Sequence, residues 1–193
     1  MKQDSAPLKQ VHPKTRDAWR DWLAKNHGSS NGVWLVYFKK ASGKPRIEYG
    51  EAVEEALCFG WVDSKGETID DERAMLKFTP RNPKSAWSKP NKERVERLVE
   101  EGKMTEAGLA AIATAKRNGT WSALDSVEAL KVPADLAKAL AANKKAKGYF
   151  DAFSPSSRKI ILWWIESAKR EETRQRRISE TVRLAAQNVR ANQ

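Results

Sequence analysis

Trp61-Val62-Asp63-Ser64 and Met75-Leu76-Lys77-Phe78-Thr79-Pro80 are two extended runs separated by a short polar stretch. The first leaves an apolar helical pattern abruptly, and the second stops at a proline, which cannot donate to a continuing ladder. Between them, Lys65-Gly66 permits a turn, and Asp70-Asp71-Glu72 is the kind of acidic cluster that turns collect. Two runs this close in sequence pair antiparallel. Upstream, Val33-Trp34-Leu35-Val36-Tyr37-Phe38 is short, β-branched and aromatic, which reads as a buried strand. The three make a small antiparallel sheet.

Helical patterns surround this sheet. Thr15 is placed to cap a helix through about Lys25, with Trp19, Trp22 and Leu23 at i, i+3, i+4 spacing and Gly28 suited to a left-handed end. Tyr49 to Phe59 is a second helix, with Val53, Ala56 and Leu57 on one stripe and glutamates on the other. Residues 1–12 are polar and read as frayed. From Ser88 onward the pattern is helical throughout. Segments start near Lys92, Thr105, Ala123, Ala134 (running to about Lys147), Arg158 and Thr181, the last after a charged junction. The fold class is therefore α+β: residues 1–87 form a lobe with a small antiparallel sheet covered by helices, and residues 88–193 form a helical lobe packed against it.

The 193 residues and eight tryptophans supply ample material for a core. The longest strongly apolar stretch, Ile160-Ile161-Leu162-Trp163-Trp164-Ile165, falls far short of the roughly 18 residues a bilayer requires. The first seven residues lack the apolar core of a secretory signal, and one cysteine, Cys58, precludes an internal disulfide. The expectation is a cytoplasmic protein without membrane insertion. Net charge is +11, with residues 1–80 near neutral at +1 and residues 81–154 and 155–193 carrying +5 each. That balance favours an anionic partner, a small molecule ahead of nucleic acid.

Metal or cofactor binding is not expected. His12 and His27 stand 15 apart, Cys58 is alone, and no glycine-rich phosphate loop occurs. Cys58 lies in an apolar stripe, where an inert thiol is commoner than a nucleophile. The basic run Lys169 to Arg177 has no interleaved aromatic on which bases could stack, and its glutamates suit helical pairing. The stretch least like ordinary packing is Trp61, Asp63 and Ser64 together with Arg81, Ser85, Trp87, Lys89 and Asn91, in a loop stiffened by Pro80, Pro83 and Pro90. These eight residues are the candidate site, a polar-aromatic pocket between the lobes. Two indoles would give flat walls, Arg81 and Lys89 would hold an anionic group, and Asp63 and Ser64 would set orientation. A purely structural role competes with it: both indoles as packing, Asp63 bound to Arg81, and Ser88 or Asn91 capping the next helix. A third reading is an enzyme using Asp63 with Ser64 or Cys58.

Glu51 to Ser64, with Ala56-Leu57-Cys58-Phe59-Gly60-Trp61 at its centre, is similar to the signature of the YdeI/OmpD-associated (bacteriocin-protection) family. So are Pro80-Arg81, Ser85-Ala86-Trp87-Ser88-Lys89, Asn91-Lys92, Gly102-Lys103-Met104 and Ala115 to Trp121. Pro133-Ala134-Asp135-Leu136, Ile165 to Lys169, Thr173-Arg174 and Arg177-Ile178 resemble its C-terminal helical region, so the likeness runs from about Trp19 to Val189. The resemblance implies an association with protection against bacteriocins and cationic antimicrobial peptides, and with an outer-membrane porin. It implies no reaction, cofactor or active site, and a protein partner is left unknown.

Overall fold

The computed structural model describes residues 7–192. It divides into two compact units, with the boundary between Ser122 and Ala123. In the first unit the sheet is built from β1 (Gln10–Val11), β2 (Val33–Phe38), β3 (Trp61–Thr68) and β4 (Arg73–Pro80), in the order β1-β2-β4-β3. β4 is central and antiparallel to both β2 and β3, with Leu35 opposite Leu76 and Val62 opposite Thr79. Its Ala74, Leu76 and Phe78 are buried while Met75, Lys77 and Thr79 are half-buried, the period of two that a sheet with one core face requires.

Two details depart from the sequence reading. Of the two turn candidates the hairpin uses the acidic cluster, turning at residues 69–72 and not at Lys65-Gly66, because the Asp70 carboxylate accepts the amides of Glu72 at 3.0 Å and Arg73 at 2.6 Å. Gly66 instead follows a register shift between Asp63 and Gly66, a bulge that glycine tolerates. Gln10–Val11, expected to fray, pairs parallel with Trp34 and Leu35; residues 1–6 of that stretch lie outside the described residues.

Helix α1 (Arg16–Asn26) begins at Thr15, whose Oγ1 accepts the Ala18 amide at 3.2 Å, and it buries Trp19 and Leu23. It ends without a left-handed Gly28: the Asn26 side chain and the His27 ring bond the carbonyls of Trp22 and Leu23. Helix α2 (Tyr49–Cys58) starts with a reciprocal capping box between Glu48 and Glu51. Helices α3 (Lys89–Glu100) and α4 (Glu106–Arg117) belong to this same unit. Their Val95, Leu98, Ile112 and Ala115 join one core with Trp19, Trp61, Phe78 and Trp87, which moves the division expected after residue 87 to Ser122.

The second unit is entirely helical: α5 (Asp125–Glu128), α6 (Ala134–Ala141), α7 (Lys144–Ala152), α8 (Pro155–Glu166) and α9 (Glu171–Ala185). Its own core gathers Leu136, Leu140, Phe150, Ile161, Leu162, Ile165 and Ile178. The single helix expected from Ala134 to Lys147 is two, since Asn143 turns extended and its side chain caps α7 by accepting the Ala146 amide. The charged junction before Thr181 is helical from Glu171. Arg174 there bonds Asp135 at 2.6 and 2.9 Å, and Arg177 caps α8 through Trp164 O and Ser167 Oγ. Among the described residues no helix is long and apolar enough to cross a membrane.

Candidate functional site

Arg81 is the first residue past β4, and its amide donates to Gly60 O at 2.9 Å. From there the chain is tied down on both sides. Ser85 bonds Asn82 O through its amide and its hydroxyl, Asn118 Nδ2 and Thr120 Oγ1 donate to Pro83 O, and the Trp87 amide donates to Thr120 O. Three prolines and these bonds make a rigid loop, so a side chain on it is held in place before any ligand arrives.

The loop presents the Arg81 guanidinium 3.9 Å from the centre of the Trp87 ring, a cation–π stack against an indole that is 1 % exposed. Nη2 donates to Ala86 O at 2.6 Å. Nε is sealed from solvent without a partner, while Nη1 has no hydrogen bond and keeps access to solvent. Among the described residues no carboxylate lies within ion-pair distance of Arg81. Burial therefore pulls its pKa down to about 10, an effect that the charge of Asp63 offsets only in part. The group remains a cation at neutral pH.

Beside it opens a cleft of about 180 Å³. Arg81, Asn82, Pro83 and Trp87 form one side. Ala110, Ala111, Thr114 and Ala115, at i, i+1, i+4 and i+5 on α4, form the other. Small side chains on that face leave the space between helix and loop unfilled. The position of α4 is itself tightly set. Thr105 binds Cys58 O with its amide at 3.1 Å and its hydroxyl at 2.6 Å, and Gly60 at φ 72° lies where a Cβ would meet Ala107 O at 3.0 Å.

Of the eight residues singled out in the sequence, Arg81 and Trp87 line this cleft, and Ser85 contributes its carbonyl behind Arg81 at 3.5 Å. Trp61 is 1 % exposed, donates from Nε1 to His27 O and packs edge-on to Trp22, within the core. Asp63 accepts the Tyr49 hydroxyl at 2.9 Å, and Ser64 donates to Lys77 O at 3.4 Å. Lys89 is exposed and 3.7 Å from Glu93, and Asn91 accepts from Arg94. Ser88 holds the cap position of α3 without a side-chain bond. The helix α4 residues and Asn82 carry no signal of their own in the sequence. Alanines at such spacing read equally well as a helix-packing face.

Other reactive groups are committed elsewhere. Glu55, 2 % exposed, accepts from Arg16 at 2.5 Å and Arg20 at 2.6 Å, tying α2 to α1. Burial, then the neighbouring Glu55 charge, pushes the Cys58 thiol up, opposite to what a nucleophile needs. Among the described residues no group of three His, Cys, Asp or Glu side chains gathers to hold a metal. In the basic run, Arg174 and Arg177 serve the helical unit internally, which leaves Lys169, Arg170 and Arg176 with two glutamates between them.

An α+β unit bearing a cationic cleft, followed by an all-helical unit, is the class of protein that these elements define. The chain belongs to the family described as Domain of unknown function (DUF8412), matched over residues 11–111, and its residues 129–188 match the model described as Bacteriocin-protection, YdeI or OmpD-Associated. Each match falls within one unit. The motifs of residues 51–64 and 80–92 thus lie under the DUF8412 description, and those of residues 133–178 under the Bacteriocin-protection one. Searches of curated proteins and of solved structures found no match.

Proposed function

We propose that the protein is a small-molecule-binding module whose ligand is an anion held at Arg81, and that the protective role named in the description matched by residues 129–188 is exercised through that ligand as tolerance of envelope stress. One observation carries this reading: a half-buried guanidinium with no acidic partner, stacked on a buried indole beside an open cleft. Removing a cation from water without pairing it costs free energy that internal packing does not return. An anionic ligand would supply the missing charge, in a setting where desolvation strengthens the attraction. Trp87 and the alanines of α4 would exclude water from the bound group.

The test is a titration of the intact protein with inorganic phosphate, acetate and benzoate, following melting temperature and tryptophan fluorescence. The expected outcome is that at least one of them raises the melting temperature, since a ligand at 100 times its Kd adds about 2.7 kcal/mol. Arg81→Ala should abolish that response while keeping the helical circular dichroism of the parent. A flat response to all three anions, or one that survives in Arg81→Ala, sinks the proposal.

A further inference from the structure

The geometry points to a monocarboxylate with a compact apolar body as the ligand class of the Arg81 cleft, an inference that rests on the anion-binding reading above. Three features of the cleft bear on this choice. First, the guanidinium cannot present its full fork. Nη2 is spent on Ala86 O and Nε is sealed, so Nη1 alone is open to a ligand. Bidentate pairing, with carboxylate or phosphate alike, uses two parallel N–H donors and is blocked, so the contact is to one oxygen of the anion. The other two features choose between anions.

Second, Arg81 is the single cation among the lining residues. Arg117 reaches the rim by donating to Thr114 Oγ1 at 3.2 Å, but it is exposed and screened. A phosphate group carries about one and a half to two charges at neutral pH and would be only partly compensated on entering. A carboxylate carries one, and the cleft offers one.

Third, the remaining wall is apolar. Pro83 and the methyls of Ala110 and Ala111, over the buried Trp87 and Ala115, offer surface that rewards burial of hydrocarbon at about 25 cal/mol per Å² and gives nothing to a hydrated ion. A volume of about 180 Å³ is below the range of drug-sized pockets, which starts near 300 Å³. A single ring or a short branched chain fits that space.

The experiment is isothermal calorimetry on the full chain with three probes: benzoate, its neutral isostere benzamide, and inorganic phosphate. Benzoate is expected to bind about tenfold or more tighter than either of the others, because a charge-assisted hydrogen bond and a ring surface are present together only there. Arg81→Met should lose that preference over benzamide, and Ala110→Phe, at an exposed position on the cleft wall, should weaken benzoate by filling the space. The second variant retains the discrimination if Arg81→Met fails to fold. Phosphate binding as tightly as benzoate would overturn the carboxylate assignment and leave the anion site standing. Benzamide matching benzoate, or no heat with any probe, would overturn both.

Discussion

At the scale of single residues, the charged groups of the first unit divide by whether they are paired. Glu55 is the most deeply buried acid, and it sits between Arg16 and Arg20, with Arg20 also reaching Lys103 O at 2.9 Å. Replacing Glu55 by Gln keeps the shape and removes the charge, leaving Arg20 facing a neutral amide and Arg16 with Glu54 alone, at 3.1 Å. A stability loss of about 2–3 kcal/mol is expected, below the full cost of breaking a buried pair because both arginines are partly exposed. Urea denaturation of Glu55→Gln checks it, and a midpoint unchanged from the parent would refute the pairing as a stabilising element. Arg81 is the opposite case, a cation that the fold leaves without a carboxylate. Its place in a proline-stiffened loop was legible in the sequence, as was the tryptophan beneath it. Trp61, in an equally conspicuous motif, lies in the core instead. Residue type announces both indoles, but only the path of the chain decides which one borders a space.

At the scale of elements, boundaries marked by specific side-chain chemistry were readable: Thr15 before α1, the strand that ends at Pro80, and the acidic turn at residues 69–72. What could not be read was chemistry that depends on distant partners. Asn143 breaks a continuous alanine-rich pattern because its cap outweighs helix propensity there, and the first strand exists only because β2 is beside it. The wall of the cleft is of this kind too, since Ala110, Ala111 and Ala115 acquire meaning from where α4 is held. Gly108 holds it. A Cβ at that position would sit 2.3 Å from Cys58 O and 2.6 Å from the Met104 methyl, so α2 and α4 touch through backbone. Gly108→Ala must push α4 away from α2, at a cost of about 1–3 kcal/mol typical of overpacking, with helix propensity returning part of it. Because α4 forms one wall of the cleft, the same substitution should lower the response to anions in proportion to the shift. Calorimetry alongside denaturation separates the two effects. A Gly108→Ala protein with parental stability would show that the approach is not tight.

At the scale of the whole molecule, the two units carry separate cores, and each coincides with a different family description. The basic excess is shared between them; residues 123–193 hold 14 Lys and Arg against 8 Asp and Glu. A unit of this size is marginal on burial alone, and self-repulsion at +6 weakens it further, so its few ion pairs count. The bidentate bond of Arg174 to Asp135 joins α9 to α6, and the guanidinium, helped by the Leu136 amide, holds the Asp135 carboxyl below its usual range. A depressed carboxylate stabilises the fold above its ordinary value of roughly 3.9 and loses that contribution as pH falls through the lowered one. Because it has a core of its own, the fragment 123–193, expressed alone, is expected to melt cooperatively. Its Asp135→Asn variant should be less stable by about 1 kcal/mol at pH 7, as befits a half-exposed bidentate pair. Toward pH 2 the two melting curves should converge, because the parent has by then lost its charge as well. A fragment without a cooperative transition would show that the helical core does not suffice by itself, and a gap between parent and variant that stays constant with pH would show that the Asp135 charge contributes nothing.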